Sequence, residues 1–193
     1  MKELSLHLLD VAKNSVTAGA GHVDISLTED DEGWLTVSIR DDGRGMDPEF
    51  LARVTDPFTT TRTTRKVGLG LPLYRLAAEQ TGGSLDIQSQ VGAGTAVTAR
   101  FQRRHLDCPP LGDLPGTIAL LIQGSPDIEF TYRHATPNGT AELSTAELRE
   151  VLGEDISLAE PEVFAWIQDY LTEQEEQAAV SVDPAAMIKG EIS

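Results

Sequence analysis

The sequence predicts an α/β chain, because segments with helical and with strand-like periodicity follow one another over its first hundred residues. Residues 3–18 carry apolar side chains three and four positions apart, the spacing of an amphipathic helix. The runs 23–27 and 35–40 alternate in character and are separated by an acidic turn, which is typical of two paired strands. A change in charge near Arg104 indicates that a second region begins there.

Further elements complete the first region. Pro48 is expected to open a short helix, since proline is tolerated in a first turn. Residues 55–67 are rich in threonine and basic residues and have little apolar periodicity, so they predict a long mobile segment. A helix is expected over 71–80, followed by a closing hairpin of strands 84–89 and 95–102.

Charge and composition exclude several function classes. Residues 1–104 carry 12 Lys and Arg against 14 Asp and Glu, whereas residues 105–193 carry 3 against 17. The acidic second half would repel phosphate backbones, so we expect no nucleic-acid partner. No run approaches the roughly 20 apolar residues of a membrane span, and the chain does not start like a signal peptide. With a single cysteine, Cys108, a reducing cytoplasm is the expected location.

The second region is predicted to be small and of α+β type. Two strands are expected at 117–123 and 128–134, followed by helices at 144–152 and 162–174. Ser144 and Glu147 form a capping-box pattern at the start of the first of these helices. The predicted division of the chain is an N-terminal domain, a linker, a small acidic domain and a flexible tail: 1–104, 105–116, 117–177 and 178–193.

Asp10 and Asn14 lie four residues apart, so they project from one face of the first helix. An amide oxygen suits Mg²⁺, and a carboxylate one turn away suits a base that accepts a proton near a γ-phosphate. The same pair also fits the solvated face of an ordinary amphipathic helix, and the pair alone favours that interpretation.

The loop that follows the second strand reads Asp41-Asp42-Gly43-Arg44-Gly45-Met46. A carboxylate at a strand end can accept a hydrogen bond from an exocyclic amine such as that of adenine. Two glycines at this spacing allow a flat ligand to approach the backbone closely. A tight turn decorated with aspartate is the alternative.

Two later segments favour phosphate binding. The run Gly68–Leu71 (Gly-Leu-Gly-Leu) precedes a helix, and unobstructed N–H groups at a helix N-terminus form a cradle for anions. The threonine-rich stretch before it, which includes Thr61, contains Arg62, Arg65 and Lys66, whose positive charges would neutralise phosphate when a lid closes. A flexible hinge and a disordered basic loop are the alternatives for these segments.

The order of these motifs along the chain resembles the GHKL ATPase superfamily, and the Gly-Leu-Gly-Leu-Pro-Leu run looks most like its histidine kinase branch. The resemblance covers about residues 1–102. Its five boxes, named N, G1, F, G2 and G3, correspond here to Asp10–Asn14, Asp41–Gly45, Asp56–Phe58, Gly68–Gly70 and Gly92–Thr95.

The resemblance implies a two-layer α/β sandwich of the Bergerat type for the first region, and the small α+β extension predicted from the residue pattern follows it. It assigns Asp41 to the adenine amine, Asn14 to Mg²⁺, Phe58 to the lid and Thr95 to water beside the adenine, with Asp10 as the catalytic base. The implied ATP-binding residues are Asn14, Asp41, Gly43, Gly45, Met46, Phe58, Thr61, Arg62, Lys66, Gly68, Leu69, Gly70, Leu71 and Thr95.

Two departures shape the functional expectation. Asp10 stands where the gyrase-like ATPases have glutamate, which puts fast hydrolysis in doubt, and no phosphoacceptor hairpin precedes the first helix. We therefore expect ATP-dependent phosphorylation of a partner protein, such as a phosphoacceptor or a redox enzyme, rather than autophosphorylation. An ATP-dependent switch that docks a partner is the alternative, a degenerate domain that binds nothing is a third reading, and a homodimer is left open.

Overall fold

The computed structural model describes residues 2–56 and 70–179 of the chain. These residues contain six helices and six strands, joined by loops. In chain order they are α1 (Leu4–Thr17), β1 (His22–Glu29), β2 (Trp34–Asp41), α2 (Pro48–Arg53), α3 (Gly70–Gln80), β3 (Ser84–Gln90), β4 (Gly94–Gln102), α4 (Leu114–Gly124), β5 (Glu129–Thr136), β6 (Gly139–Ser144), α5 (Thr145–Leu152) and α6 (Pro161–Ala179). Every helix and strand predicted from the sequence between residues 3 and 102 is confirmed.

The strands form one mixed sheet in the order β3-β4-β2-β1-β5-β6. Only β1 and β5 pair in parallel, and the other neighbouring strands pair antiparallel. Alternate residues are buried on β1 and β2, as expected where one face of a sheet packs against a second layer. The buried strand residues share one core with the apolar faces of α1, α3, α4 and α6, which confirms the two-layer α/β sandwich.

The stripe predicted on α1 is the side that packs on the sheet, since Leu4, Leu8 and Val11 are all buried. Beside it on α3, the buried ring of Tyr74 stacks on His7 with the ring centroids 5.4 Å apart. Burial lowers the pKa of His7 and raises that of Tyr74. Because this contact joins α1 to α3, it positions the N box helix beside the helix that follows the G2 box.

The segment after Arg104 extends this sheet. It enters along α1, where the backbone N–H groups of Leu4 and Ser5 donate to the carbonyls of Pro110 and Leu111. Strand β5 then pairs with β1 in register, with Val23 opposite Phe130. The extension is of α+β type as predicted, but the boundary expected near Arg104 does not separate two cores, because both halves contribute to one sheet and one apolar cluster.

The strand predicted at 117–123 is wrong, because these residues lie within helix α4. Asp113 caps the helix by accepting a hydrogen bond from the backbone N–H of Gly116, and a proline occupies the first turn. Ile118, Ala119 and Ile122 are buried in the helical layer, and few polar residues interrupt the run. A helix buried on most sides lacks the polar face that would reveal its period, so the run looked like a strand.

The hairpin β5–β6 contains the one strand of the extension that the sequence analysis missed. Asn138-Gly139 at its turn is a recognised hairpin signal, and the six-residue strand that follows it is short. The predicted N-cap is confirmed, since Ser144 accepts a hydrogen bond from the N–H of Glu147 at the start of α5, while the reciprocal bond of a capping box stays a prediction. Helix α6 continues to Ala179, and residues 180–193 of the predicted tail lie outside the described parts.

The lengths and the apolar character of the described helices bear on whether any of them could span a membrane. Within residues 2–56 and 70–179, no helix combines the length and the apolar character needed to cross a bilayer. The most apolar helix, α4, has 11 residues, about half of what a span requires.

A buried ionic cluster ties the far end of α6 to the sheet. His134 on β5 is 3 % exposed and lies between two carboxylates, with Nε2 2.9 Å from Glu29 and Nδ1 2.7 Å from Glu175. The hydroxyl of Tyr132 also donates to Glu175. Burial opposes a charge on His134, but its hydrogen bonds to Glu175 and Glu29 raise its pKa to about 9. The hydrogen bond between His134 and Glu29 also lowers the pKa of Glu29.

The cluster predicts how stability depends on pH. In the folded protein the pKa of His134 is higher than its ordinary value of 6.5. Its contribution to the free energy of unfolding is therefore complete below pH 6.5 and is lost as the pH rises through about 9. The contribution of Glu29 is complete above its ordinary pKa of 4.5 and is lost as the pH falls below it. Urea unfolding should show that His134→Gln lowers the free energy of unfolding at pH 7 by roughly 3 kcal/mol, and by much less at pH 10. His105→Gln, at an exposed histidine, is the control, and an equal loss at both pH values would contradict a charged His134.

Candidate functional site

A cavity of about 280 Å³ opens between α1, the loop after β2 and the start of β4. Its size approaches the lower end of the range for small-molecule sites. Six of the residues expected at the nucleotide from the sequence line it: Asn14, Asp41, Gly45, Met46, Leu71 and Thr95. The fold therefore brings together residues that lie up to 81 positions apart in the chain.

Asp41 is held in this cavity by donors on both sides of its carboxylate. It is the last residue of β2, and its Oδ2 atom accepts a hydrogen bond from the buried hydroxyl of Ser15 at 2.6 Å. Its Oδ1 atom accepts from the backbone N–H of Gly43 at 2.9 Å. Since each carboxylate oxygen has two lone pairs, Asp41 keeps acceptor capacity after these bonds, with its orientation set by α1.

The adjacent Asp42 has a different role. Its Oδ1 atom accepts from the backbone N–H groups of Gly21 and His22, at 2.8 and 2.9 Å, where the chain enters β1. These bonds, that from His22 above all, lower the pKa of Asp42. Asp42 therefore secures the start of β1, and of the two aspartates only Asp41 lines the cavity.

The glycine loop is joined to its neighbours through its backbone. The N–H of Arg44 donates to the carbonyl of Ala18 at 3.0 Å, and the carbonyl of Arg44 accepts from the N–H of Gly92 at 2.8 Å. Gly45 has a φ of +72°, and a Cβ atom there would overlap the carbonyl oxygen of Gln90. A Cβ atom on Gly43 would come within 2.9 Å of Ala18. Both glycines are therefore required by close backbone contacts at the rim of the cavity.

Ser89 on β3 connects the glycine loop to the closing hairpin. Its hydroxyl accepts from the backbone N–H of Met46 at 2.8 Å and lies 2.8 Å from the hydroxyl of Thr95. Thr95 in turn lies directly opposite Asp41 in the β2–β4 register. Sequence reasoning missed Ser15 and Ser89, because neither belongs to a recognisable motif. Ser15 is placed by the packing of α1 on β2, and Ser89 by the pairing of β3 with β4.

Asn14 lines the cavity from α1, one turn beyond Asp10. Asp10 lies outside the lining, next to the start of α3, where a Cβ atom on Gly70 would lie 3.3 Å from the Cβ of Asp10. The ammonium group of Lys2, which sequence reasoning did not single out, contacts the carboxylate of Asp10. The N box helix and the start of α3 are thus adjacent, while the catalytic role of Asp10 stays a prediction.

Comparison with known proteins agrees with this geometry. Residues 2–105 match the family model of the histidine kinase-, DNA gyrase B- and HSP90-like ATPases. The match covers more than half of the chain. The chain belongs to this ATPase family. The resemblance inferred from the five boxes is confirmed.

Similar proteins include two bacterial kinases and a sensor protein. The chain is 35 % identical over 105 residues to histidine protein kinase DivJ of Caulobacter vibrioides and 32 % identical over 104 residues to sporulation kinase A of Bacillus subtilis. It is 33 % identical over 109 residues to sensor protein SrrB of Staphylococcus aureus. These matches cover 52 to 54 % of this chain but only 17 to 18 % of the other proteins. The chain therefore spans less than a fifth of the length of these relatives.

A solved structure shares the fold. The crystal structure of the N-terminal domain of a DNA repair protein superposes with a TM-score of 0.50 and 15 % identity. The similarity covers 75 % of this chain and 52 % of that one. At this identity the comparison supports the α/β sandwich of the ATPase family and nothing about function.

Part of the expected ATP site lies outside the described residues. The anchor, lid and G2 residues in this group are Phe58, Thr61, Arg62, Lys66, Gly68 and Leu69. Gly70 and Leu71 at the start of α3 are described, and Leu71 is buried at the wall of the cavity. The binding roles assigned to the individual site residues stay predictions.

The residues present fit a magnesium ion that is bound together with a nucleotide. In residues 2–56 and 70–179, no group of three or more His, Cys, Asp and Glu side chains could hold a metal. Mg²⁺ commonly takes only one or two protein oxygens, while phosphates and water complete its shell. The amide oxygen of Asn14, at the cavity wall, is a ligand of that kind.

The glycine loop supports a stability prediction. Gly45→Ala would place a side chain at a positive φ and against the carbonyl of Gln90, so we expect it to lower the free energy of unfolding by about 2 kcal/mol or more. Gly82→Ala is the matched control, since Gly82 also has a positive φ (+83°) but open space around it. Urea unfolding compares the two, and an equal loss would show that the contact with Gln90 adds nothing.

Proposed function

We propose that this protein binds ATP together with magnesium and phosphorylates a partner protein in a signalling or regulatory pathway. The observation that carries the proposal is the carboxylate of Asp41, which Ser15 and Gly43 hold in a cavity of the ATPase domain. The names of histidine protein kinase DivJ and sporulation kinase A support phosphotransfer as the activity, and the name of sensor protein SrrB supports a role in signalling.

Each residue of the site has a task in this proposal. Asp41 accepts the exocyclic N–H of adenine, and Gly45 leaves room for the base beside the loop. The amide oxygen of Asn14 holds the cation, which supplies positive charge against the triphosphate. Asp10 accepts the proton that the attacking group of the acceptor loses.

The substitution Asp41→Asn tests whether Asp41 recognises adenine. Asp41→Asn replaces an acceptor oxygen with a donor NH₂ group, which would face the adenine amine or the Ser15 hydroxyl. Titration calorimetry with ATP and GTP, magnesium present, should show ATP affinity lowered about tenfold or more and little preference left for adenine.

Asp42→Asn is the matched control for this titration, because Asp42 binds the backbone at the start of β1 and does not line the cavity. We expect its ATP affinity to stay within about twofold of the unchanged protein. Retention of full ATP affinity and adenine preference by Asp41→Asn would remove Asp41 from the site.

An alternative function is an ATP-dependent conformational switch, or a slow ATPase, that docks a partner without phosphotransfer. The contact between Lys2 and Asp10 favours it, because the ammonium group occupies the carboxylate that phosphotransfer would require to face the acceptor. In this case ATP would bind at the same cavity, and only the fate of the γ-phosphate would differ.

Labelled ATP separates the two functions. Incubation with proteins encoded beside the gene should transfer label to one of them, and Asn14→Ala should abolish both the transfer and the magnesium dependence of ATP binding. Asn138→Ala, in the exposed β5–β6 turn, should leave both unchanged. ATP binding without transfer to any candidate would favour the switch.

A further inference from the structure

A second concavity lies in the extension, away from the nucleotide cavity. The groove between α5, α6 and strand β6, called here the α5–α6 groove, encloses about 860 Å³. Its apolar lining is Leu143, Leu148, Val151, Leu152, Ile156, Val163, Trp166 and Tyr170. All of these residues lie beyond residue 105, where the match to the ATPase family ends.

Large apolar side chains in this groove are exposed to solvent. Val151 is 84 % exposed, Trp166 50 % and Ile156 43 %. The rings of Trp166 and Tyr170 stack with their centroids 5.0 Å apart, so they form one flat apolar surface. Contiguous apolar surface of this kind, with tryptophan and tyrosine at its centre, is characteristic of protein-binding sites.

The charge around the groove is acidic. Four carboxylates belong to its lining, namely Asp24, Glu142, Glu147 and Glu162. Arg133 is the one basic residue in the lining, and its Nε atom lies 3.9 Å from Glu142. A ligand therefore meets apolar side chains surrounded by net negative charge, which attracts a basic partner.

The same charge argues against two other occupants. In a symmetric dimer through this groove, a second copy would bring its own acidic residues against these, which costs free energy through like-charge repulsion. Residues 180–193 carry Asp183 and Glu191 against Lys189, so this segment is also net negative. A basic segment of a different protein satisfies both the apolar and the electrostatic character of the groove.

We propose that the α5–α6 groove binds a basic, amphipathic segment of a partner protein, which places apolar side chains on Trp166, Tyr170 and Val151 and basic side chains beside Glu147 and Glu162. This proposal does not depend on nucleotide binding, because its apolar contacts all come from the extension. It would give the ATPase domain a docking site separate from its catalytic cavity.

Fluorescence of Trp166 tests the proposal directly. The full chain contains two tryptophans, so Trp34→Phe leaves Trp166 as the only reporter. The probe is a tryptophan-free helical peptide of leucine and lysine, about four turns long, which spans about 20 Å. A second peptide has glutamate in place of each lysine. We expect the basic peptide to change Trp166 emission in a saturable and salt-sensitive way, and the acidic peptide to leave it unchanged.

Charge reversal supplies the matched comparison. In the Trp34→Phe background, Glu147→Lys with Glu162→Lys should weaken binding of the basic peptide about tenfold or more. Glu150→Lys with Glu176→Lys makes the same change in net charge on the same two helices, at exposed positions outside the groove lining, and should weaken it about twofold at most.

An apolar pair of variants tests the other half of the proposal. Val151→Ser should weaken peptide binding severalfold because it removes an exposed apolar contact, and Leu120→Ser on α4 should not.

Three outcomes would overturn the proposal. The first is failure of the basic peptide to bind, or equal binding of the acidic one. The second is an equal loss of binding in the two charge-reversed pairs. The third is shielding of Trp166 from a soluble quencher in the free protein. Shielding that grows with protein concentration would indicate a second copy in the groove, and shielding independent of concentration would indicate residues 180–193. Loss of ATP binding by Asp41→Asn leaves all of these measurements unaffected, so the two proposals fail separately.

Discussion

The hydrogen bond between the Ser15 hydroxyl and the Asp41 carboxylate is the contact on which the proposed nucleotide cavity depends. It joins α1 in the helical layer to the last residue of β2 in the sheet. Both partners are set by larger packing, since Ser15 follows the buried stripe of α1 and Asp41 pairs with Thr95 across β2 and β4. A carboxylate fixed in this way meets a ligand without first losing conformational freedom, which is how a scaffold improves recognition.

The backbone around this contact explains why glycine recurs in the motifs. Gly45 passes against the carbonyl of Gln90, and a Cβ atom on Gly94 would overlap the carbonyl of Asp41. Both residues also have positive φ. The loop after β2 and the turn before β4 can therefore approach each other only where side chains are missing. These glycines cost conformational entropy on folding, and in return they allow the backbone to form the rim of the cavity.

The parallel pairing of β1 with β5 makes the extension part of the same structure as the ATPase domain. The sheet has the nucleotide cavity near the end of β2 and the α5–α6 groove near β6, with β1 and β5 between them. The buried cluster of Glu29, His134 and Glu175 adds an ionic connection from β1 through β5 to α6. A continuous sheet of this kind is a suitable element for holding the two proposed binding surfaces at a fixed separation.

By itself the sequence determined the fold class, the family and six of the fourteen residues that line the cavity. It could do so because the motifs consist of glycine, aspartate and asparagine at fixed spacings, a pattern that is visible without the tertiary structure. It also determined the capping of α5 by Ser144. The tertiary structure alone decided that 117–123 is a helix, since burial on most sides had erased its period, and that the extension joins the sheet of the first region. It alone placed Ser15, Ser89 and the groove around Trp166, because contacts between elements distant in sequence leave no mark on the local pattern of either one.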